Sequence, residues 1–210
     1  MIDLLLVDDH TIFRAGLKRL ISDEPDMRVI DEASDGATAL TKIRTGHFDV
    51  VVLDINMAGR SGLDTLAAIR AEKPRLAVLI LSMYNEEQYA VLALRARANA
   101  YLSKDVKPDE LLTAIRQVAK GGRYVSPSAA ASLLMQMDRI GERSPHETLS
   151  PREMQIMMEI VQGKSLTDIG VQMCLSVKTI GSYRTRILEK LGVTSNAELV
   201  QYAMRNGLVD

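Results

Sequence analysis

Three aspartates in the N-terminal part of the sequence stand where short apolar runs end. The stretch DVVVLD ends on Asp54, and the stretch DLLLVDD ends on Asp8 and Asp9. A β-branched run bounded by polar residues indicates a buried strand. Because burying an unpaired charge is costly, each carboxylate must reach solvent, find a partner or take part in chemistry.

Two further polar residues follow apolar runs in the same way. Ser82 ends the stretch LAVLILS, and Lys104 comes directly after AYLS. In an open parallel sheet the carboxyl ends of the strands form one edge, where ligands bind. We therefore expect the three carboxylates, the hydroxyl and the ammonium to converge. The alternative is a set of solvated acids that make turns at strand ends.

A cluster of this kind has a specific chemical use. Three carboxylates repel one another unless a cation joins them, and Mg²⁺ is a hard ion that binds carboxylates and waters. A carboxylate can act as a nucleophile towards a phosphoryl group, while the metal and an ammonium neutralise charge on that group. Asp54, at the centre of the predicted cluster, is the expected nucleophile.

The elements that must position these residues can be predicted up to about Ala119. Short apolar runs alternate there with longer amphipathic stretches, a pattern typical of βαβ units and a parallel sheet. The first helix is expected to place Ile12, Ala15, Leu17, Leu20 and Ile21 near one face. The predicted strands are DLLLV, RVIDEA, DVVVL, LAVLIL and AYLS, and the predicted helices are Thr11–Ile21, Gly36–Arg44, Gly62–Ala71, Asn85–Arg97 and Pro108–Lys120.

From Leu149 onward the sequence contains helical stretches and no strand pattern. Ser150 is expected to cap the first helix, with Glu153 completing a capping box. Three more helices are predicted in LTDIGVQMCL, SVKTIGSYRTRILEKLG and SNAELVQYAMRNG, the last capped by Ser195 and stopped by Gly207. The C-terminal part is therefore predicted to be a small all-helical domain.

The third of these four helices concentrates positive charge. Ser176 can cap it, and it holds four basic side chains against one acid, Glu189. The pattern is that of a recognition helix in the DNA major groove with phosphates nearby; the alternative is a solvated helix of a protein-binding bundle. The basic residues are Lys178, Arg184, Arg186 and Lys190, and the inward apolar residues are Ile180, Ile187, Leu188 and Leu191.

Composition adds limits rather than a function. The formal net charge of −1 favours no class of partner for the chain as a whole. The single cysteine, Cys174, cannot form an internal disulfide and fits a reducing compartment. No apolar run reaches the roughly 20 residues that span a bilayer, and the N-terminus lacks the features of a signal peptide. We expect a cytoplasmic protein without a membrane partner.

The motifs together resemble a known family. LLLVDDH, VVLDINM, LSMY and AYLSKD are similar to the receiver domain of two-component response regulators. The stretch from LSPREM to LGVTS resembles the LuxR-type helix-turn-helix of the NarL/FixJ family. The resemblance implies a flavodoxin-like α/β receiver with a five-stranded parallel sheet, followed by a four-helix DNA-binding domain. The domain boundaries expected from it are 1–121 for the receiver, 122–147 for a linker with a short helix at about 129–139, and 148–210 for the helix-turn-helix.

The resemblance also implies a role for each matching residue of the receiver. Asp54 matches the phospho-accepting aspartate, and Asp8 and Asp9 match the acid pair that supports Mg²⁺. The remaining matches are the backbone carbonyl of Asn56 as a further metal ligand, the hydroxyl of Ser82 and the ammonium of Lys104 as partners of the phosphoryl oxygens, and Tyr101 as an aromatic switch.

In the helix-turn-helix, early residues of the recognition helix are expected to meet DNA. The candidates are Lys178, Thr179, Ser182, Tyr183, Arg184 and Arg186. Four positions differ from the common family pattern: Ala58 stands where proline is usual, Ala100 where glycine is usual, Gly181 where lysine is common, and Tyr183 where many members have histidine and a subgroup has tyrosine. A close approach of the backbone to DNA would explain a glycine within this helix.

The predicted function is therefore a DNA-binding response regulator rather than an enzyme with an external substrate. The expected partners are a sensor histidine kinase, a double-stranded DNA operator, a second copy of the chain on phosphorylation, and RNA polymerase. One alternative is a phosphatase of the haloacid dehalogenase type, which needs a second aspartate where Asn56 stands. The other is a receiver-like interaction module that is never phosphorylated, against which the complete set of site residues weighs.

Overall fold

Five parallel strands with the order β2-β1-β3-β4-β5 form the sheet of the N-terminal unit. This arrangement comes from a computed structural model that describes residues 1–57, 61–83, 86–127, 129–131, 144–173 and 175–209. The strands are β1 (Ile2–Val7), β2 (Met27–Ala33), β3 (Val50–Asp54), β4 (Ala77–Ser82) and β5 (Ala100–Ser103). The strand order is that of the flavodoxin-like fold, so the predicted α/β fold class is confirmed.

Five helices connect these strands: α1 (Thr11–Ser22), α2 (Gly36–Thr45), α3 (Gly62–Glu72), α4 (Glu86–Arg95) and α5 (Pro108–Ala119). The residues of β3 are all buried because helices cover both faces of the sheet. The α4 helix ends two residues before its predicted end, since Arg97 has a positive φ of 68° that a continuing right-handed helix cannot contain.

One predicted helix face is wrong. Ile12 is 90% exposed and Ala15 is also exposed, although both were expected on the apolar face of α1. The period of 3.6 residues explains the error, because Phe13 and not Ile12 lies on the stripe that faces the core. That stripe consists of Phe13, Leu17, Leu20 and Ile21.

Two compact units divide the chain, Met1–Gln136 and Met137–Asp210. The predicted boundaries at residues 121 and 148 stay predictions. The predicted linker helix over 129–139 lies outside the described residues from 132 onward, and Ala58 and Cys174 lie outside them as well.

The C-terminal unit is helical, as predicted. After a 3₁₀ turn (Pro145–Thr148) it contains α6 (Pro151–Val161), α7 (Leu166–Gln172), α8 (Val177–Leu191) and α9 (Asn196–Arg205). The capping box of Ser150 and Glu153 is present at the start of α6. Gly207, at a φ of 65°, ends the unit's last helix as expected.

Gly170 of α7 and Leu175, just before α8, approach each other closely. The backbone N–H of Leu175 donates to the carbonyl of Gly170 at 2.8 Å. A Cβ at Gly170 would lie 2.8 Å from the carbonyl oxygen of Leu175, so only glycine fits this approach. The predicted inward residues of α8 are all buried: Ile180, Ile187, Leu188 and Leu191. Among the described helices, none has the length and apolar character that crossing a membrane requires.

Candidate functional site

The carboxyl edge of the sheet brings an ammonium between two carboxylates. Asp54 is the last residue of the central strand β3, and Asp8 follows the neighbouring strand β1. The Nζ of Lys104, which follows β5, lies 2.8 Å from Asp54 Oδ2 and 2.8 Å from Asp8 Oδ2. The side chains are only 4% exposed for Lys104, 1% for Asp54 and 5% for Asp8. This buried triad is the centre of the site.

The local environment shifts the pKa of the Asp54 carboxyl. Burial raises the pKa of its carboxyl above the ordinary value, against the lowering effect of the Lys104 ammonium and of the Asn56 N–H. That N–H donates to Asp54 Oδ1 at 3.0 Å. The ammonium also lies 4.5 Å from the centre of the Phe13 ring, a cation–π distance. Phe13 therefore helps to hold Lys104 between the two acids, a role that the sequence analysis missed.

The acidic cluster could hold a metal ion. One carboxylate oxygen each from Asp8, Asp9 and Asp54, together with a ring nitrogen of His10, all lie within 4.8 Å of one another. The His10 Nδ1 is 2.9 Å from Asp9 Oδ1 and 3.2 Å from Asp8 Oδ1. The sequence analysis missed His10, although its position directly after the aspartate pair was a usable signal. The predicted role of the Asn56 carbonyl as a metal ligand is a proposal.

The start of α3 packs directly under Asp54. A Cβ at Gly62 would lie 2.0 Å from the carbonyl oxygen of Asp54, and the Gly62 N–H donates to the carbonyl of Ile55 at 3.0 Å. Ser61 caps the helix by accepting from the N–H of Asp64. The end of β3 is thus fixed by a backbone approach that glycine alone permits.

The structure places Ser82 and Tyr101 on neighbouring strands of the same edge. Ser82 is fully buried at the end of β4, and its carbonyl accepts the N–H of Lys104 at 2.7 Å. Tyr101 is 1% exposed, so its side chain points into the protein. In the register of β4 and β5, Tyr101 pairs with Ile80 and Ser82 pairs with Ser103.

The basic helix α8 presents part of its predicted DNA-binding set to solvent. Ser176 caps it by accepting from the N–H of Thr179 at 3.0 Å. Lys178, Ser182 and Arg186 recur every four residues and are exposed, so they lie in one row along the helix. Thr179 and Tyr183 are half-buried beside this row.

Two of the basic residues contact their own domain. Arg184 donates from Nε to Asn196 Oδ1 at 2.6 Å, which directs it toward α9. Lys190 lies 2.6 Å from Glu153 Oε2 and joins α8 to the capping box of α6. Burial acts to raise the pKa of Glu153, but the hydrogen bonds from Lys190 and Ser150 outweigh it and hold that pKa below its ordinary value. These contacts orient the helix.

Gly181 has no packing explanation within its own domain. A Cβ at this position would meet no atom within 4 Å. The side chain of any small residue would fit, so the predicted approach of the backbone to DNA stays a prediction.

Comparison with known proteins identifies the families that the two parts of the chain match. The family described as the response regulator receiver domain matches residues 4–116, and the family described as bacterial regulatory proteins, luxR family, matches residues 147–203. The chain belongs to the NarL/FixJ-type response regulators. As a member, it is a DNA-binding regulator of transcription and not an enzyme in the usual sense.

Known response regulators match this chain over nearly its whole length. Response regulator UvrY of Escherichia coli strain K12 is 38% identical over 209 residues, which are 99% of this chain and 96% of the relative. Response regulator GacA of Pseudomonas aeruginosa is 36% identical over 100% of this chain and 99% of its own. The crystal structure of the response regulator ChrA, from a heme-sensing two-component system, is 32% identical, covers 99% of this chain and 98% of its own, and has a TM-score of 0.54.

Proposed function

We propose that Asp54 accepts a phosphoryl group from a sensor histidine kinase and that this phosphorylation controls dimerisation and DNA binding. The observation that carries the proposal is the position of the Asp54 carboxylate between a buried ammonium and a cluster of acidic side chains that could hold a metal ion. A solvated acid that merely makes a turn would not be held 2.8 Å from a lysine that is itself 4% exposed. We propose the cytoplasm as the place of action, because DNA and RNA polymerase are found there.

The donor set fits Mg²⁺. Oxygens of Asp8, Asp9 and Asp54 are hard ligands within bonding reach of one ion, and we assign the Asn56 carbonyl as a further ligand. Three carboxylates against a single ammonium leave an excess of negative charge that a divalent ion offsets. When bound, the ion supplies charge neutralisation for the phosphoryl oxygens.

The transfer itself uses residues of this chain. A carboxylate oxygen of Asp54 attacks the phosphorus, the bond from phosphorus to the kinase histidine nitrogen breaks, and that nitrogen then takes a proton. Lys104 pairs with one phosphoryl oxygen, and the Ser82 hydroxyl donates to another. Ser82 moves toward the phosphoryl group in this step, and the buried Tyr101 side chain fills the space beside it. Slow hydrolysis of the acyl phosphate resets the site.

The output is a change in DNA binding. We propose that the exposed row of Lys178, Ser182 and Arg186 contacts the major groove together with the half-buried Thr179 and Tyr183. Arg184 can contribute only the guanidinium N–H groups that Asn196 does not occupy. A dimer formed on phosphorylation would read two half-sites related by two-fold symmetry, and RNA polymerase would receive the signal.

The first test measures the intact mass of the protein after incubation with acetyl phosphate, with and without Mg²⁺. We expect one phosphoryl adduct that needs Mg²⁺ and is absent from the Asp54→Asn variant. An adduct of equal yield in Asp54→Asn would assign the chemistry to another residue and refute the proposed acceptor.

The second test selects DNA from a random-sequence library with the phosphorylated protein and measures affinity for the selected site by fluorescence anisotropy. Lys178→Ala is expected to weaken binding and to reduce the salt dependence by about one phosphate contact. Lys18→Ala, a change on the receiver, is the matched control. Affinity that does not depend on the phosphorylation of Asp54 would remove the switch from this account.

A further inference from the structure

A cleft lies at the edge of the receiver sheet where the strands begin, opposite the edge that holds the acidic cluster. It has a volume of about 650 Å³ and is lined in part by the residues that directly precede β3, β4 and β5: Asp49, Leu76 and Asn99. That volume is in the range of sites for small molecules. Because the acidic cluster lies at the carboxyl edge, this cleft is separate from the proposed phosphorylation site.

Arginine dominates the charge of this cleft. Arg70, Arg75, Arg97 and Arg123 line it, against one carboxylate among the lining residues. That carboxylate, Asp49, already accepts the N–H of Asp3 at 2.8 Å. Within the part of the chain that the structure describes, no ion pair involves Arg75, Arg97 or Arg123. Four guanidinium groups against one carboxylate leave the lining of the cleft with an excess of positive charge.

Arg70 forms the fixed wall of the cleft. Its guanidinium donates to the carbonyls of Arg97 at 2.8 Å and Leu76 at 2.6 Å, and to Asn99 Oδ1 at 2.9 Å. All three acceptors are neutral, so the charge of Arg70 also remains uncompensated. Burial lowers the pKa of this guanidinium, and the nearby positive charge of Arg97 adds to the effect.

Arg97 has a backbone conformation that favours glycine. Its φ of 68° is the only positive value among the described non-glycine residues. A residue in the left-handed conformation commonly ends a helix, as Arg97 ends α4, and glycine is its usual occupant. The Arg97 N–H donates to the carbonyl of Leu94, and the Arg97 carbonyl accepts from Arg70 Nε. These hydrogen bonds hold the residue in this conformation. The exposed guanidinium of Arg97 lies among the residues that line the cleft.

Apolar side chains complete the lining. Phe48, Pro74 and Leu76 contribute apolar surface beside the arginines. Guanidinium groups bind phosphate oxygens in pairs of hydrogen bonds, and flat apolar surfaces accept a planar ring. A ligand that satisfies both features carries a phosphate chain and a ring system.

We propose that this cleft binds a nucleoside di- or triphosphate, with the phosphates on the arginines and the base against the apolar surface. A cleft of about 650 Å³ has the size of a small-molecule site and not that of a surface for the extended phosphate backbone of DNA. Such a site would let a small metabolite act on the receiver independently of the proposed phosphorylation at Asp54.

Isothermal titration calorimetry of the full-length protein tests the proposal. ATP, ADP, pyrophosphate and adenosine are titrated without divalent metal, so that the phosphates are not bridged to the acidic cluster. We expect saturable binding of ATP and ADP, weaker binding of pyrophosphate and none of adenosine. Equal affinities of ATP and pyrophosphate would overturn the assignment of a nucleotide, and no binding of ATP would overturn the site.

The decisive variant is Arg97→Gly. Glycine suits the positive φ, so this change removes the guanidinium without endangering the fold. ATP binding is expected to weaken about tenfold or more, the loss expected for a charge-assisted contact. Arg19→Ala removes an exposed arginine from α1 and is expected to leave binding unchanged. Unchanged ATP affinity in Arg97→Gly, or Arg97-dependent binding of duplex DNA without ATP binding, would contradict the proposal.

Discussion

Replacing Lys104 with methionine tests how the acidic site is held together. The change removes the ammonium that lies 2.8 Å from both Asp8 and Asp54, but keeps an apolar stem beside Phe13. The two carboxylate side chains, 5% and 1% exposed, would then face each other without their shared cation. We expect the variant to fold and to be less stable than the parent protein at neutral pH.

The structure sets the expected size of the loss. Removing one partner of a buried ion pair costs about 3–5 kcal/mol, since the remaining charge stays desolvated. We expect about 3 kcal/mol in this case, because a buried carboxyl can take up a proton and so limit the penalty. The matched control is Lys18→Met, which breaks a partly exposed pair with Glu32 at 2.6 Å. That control should cost about 0.5 kcal/mol.

The loss should depend on pH in a defined direction. Burial already raises the pKa of Asp54, and Lys104 acts against that rise. Without the lysine the folded-state pKa rises further above the unfolded value, so the native state binds more protons than the unfolded state between the two values. Stability of the variant therefore increases as pH falls through this window. The deficit relative to the parent protein should shrink as the pH is lowered from neutral.

Urea unfolding followed by circular dichroism measures the effect, at pH 7 and pH 5 and with or without Mg²⁺. Magnesium should stabilise Lys104→Met more than the parent protein, because it replaces a missing positive charge. A loss at pH 7 no larger than that of Lys18→Met, with no response to pH or Mg²⁺, would refute the account of the site as a cation-bridged pair.

Two further substitutions address the supports of each site. Gly62→Ala places a Cβ 2.0 Å from the Asp54 carbonyl oxygen, so it should lower the free energy of unfolding by about 2 kcal/mol and slow adduct formation from acetyl phosphate. The control is Gly16→Ala, whose Cβ meets open space and which should stabilise the protein by up to about 1 kcal/mol. Glu153→Gln removes the charge that holds Lys190 at 2.6 Å. It should lower the free energy of unfolding of the helical domain by about 1–3 kcal/mol and weaken DNA binding in anisotropy titrations. Unchanged stability would exclude this pair as a support of α8.

The features that the sequence predicted depend on local rules. Strand ends place Asp8, Asp54 and Lys104 on one edge whatever the details of packing, because parallel strands share a direction. The capping box of Ser150 and Glu153 involves residues three apart, so it can be read from the sequence directly. The fold class and the convergence of the site followed from such rules.

The features that the sequence analysis missed depend on contacts between distant segments. The hydrogen bond of Arg184 to Asn196 crosses from α8 to α9 and uses the Nε–H of a residue that is predicted to contact DNA. The ring of Phe13 lies on the helix after β1, and Lys104 follows β5, so their contact joins segments that are far apart in the sequence. The exposure of Ile12 follows from the rotation of α1, which its neighbour Phe13 fixes by packing against the core.

The same contacts define what the proposed phosphorylation must change. In the unphosphorylated site the ammonium of Lys104 is already shared by two carboxylates, so a phosphoryl group on Asp54 has to compete with Asp8 for it. A phosphoryl group brings more negative charge and three acceptor oxygens, and a metal ion on Asp8 and Asp9 would compensate the acid that loses the lysine. The proposed switch is then an exchange of partners around one cation, the ammonium that contacts Phe13. The carbonyl of Ser82 accepts the N–H of Lys104 at 2.7 Å, so the exchange would be transmitted along β4 and β5, where Tyr101 lies.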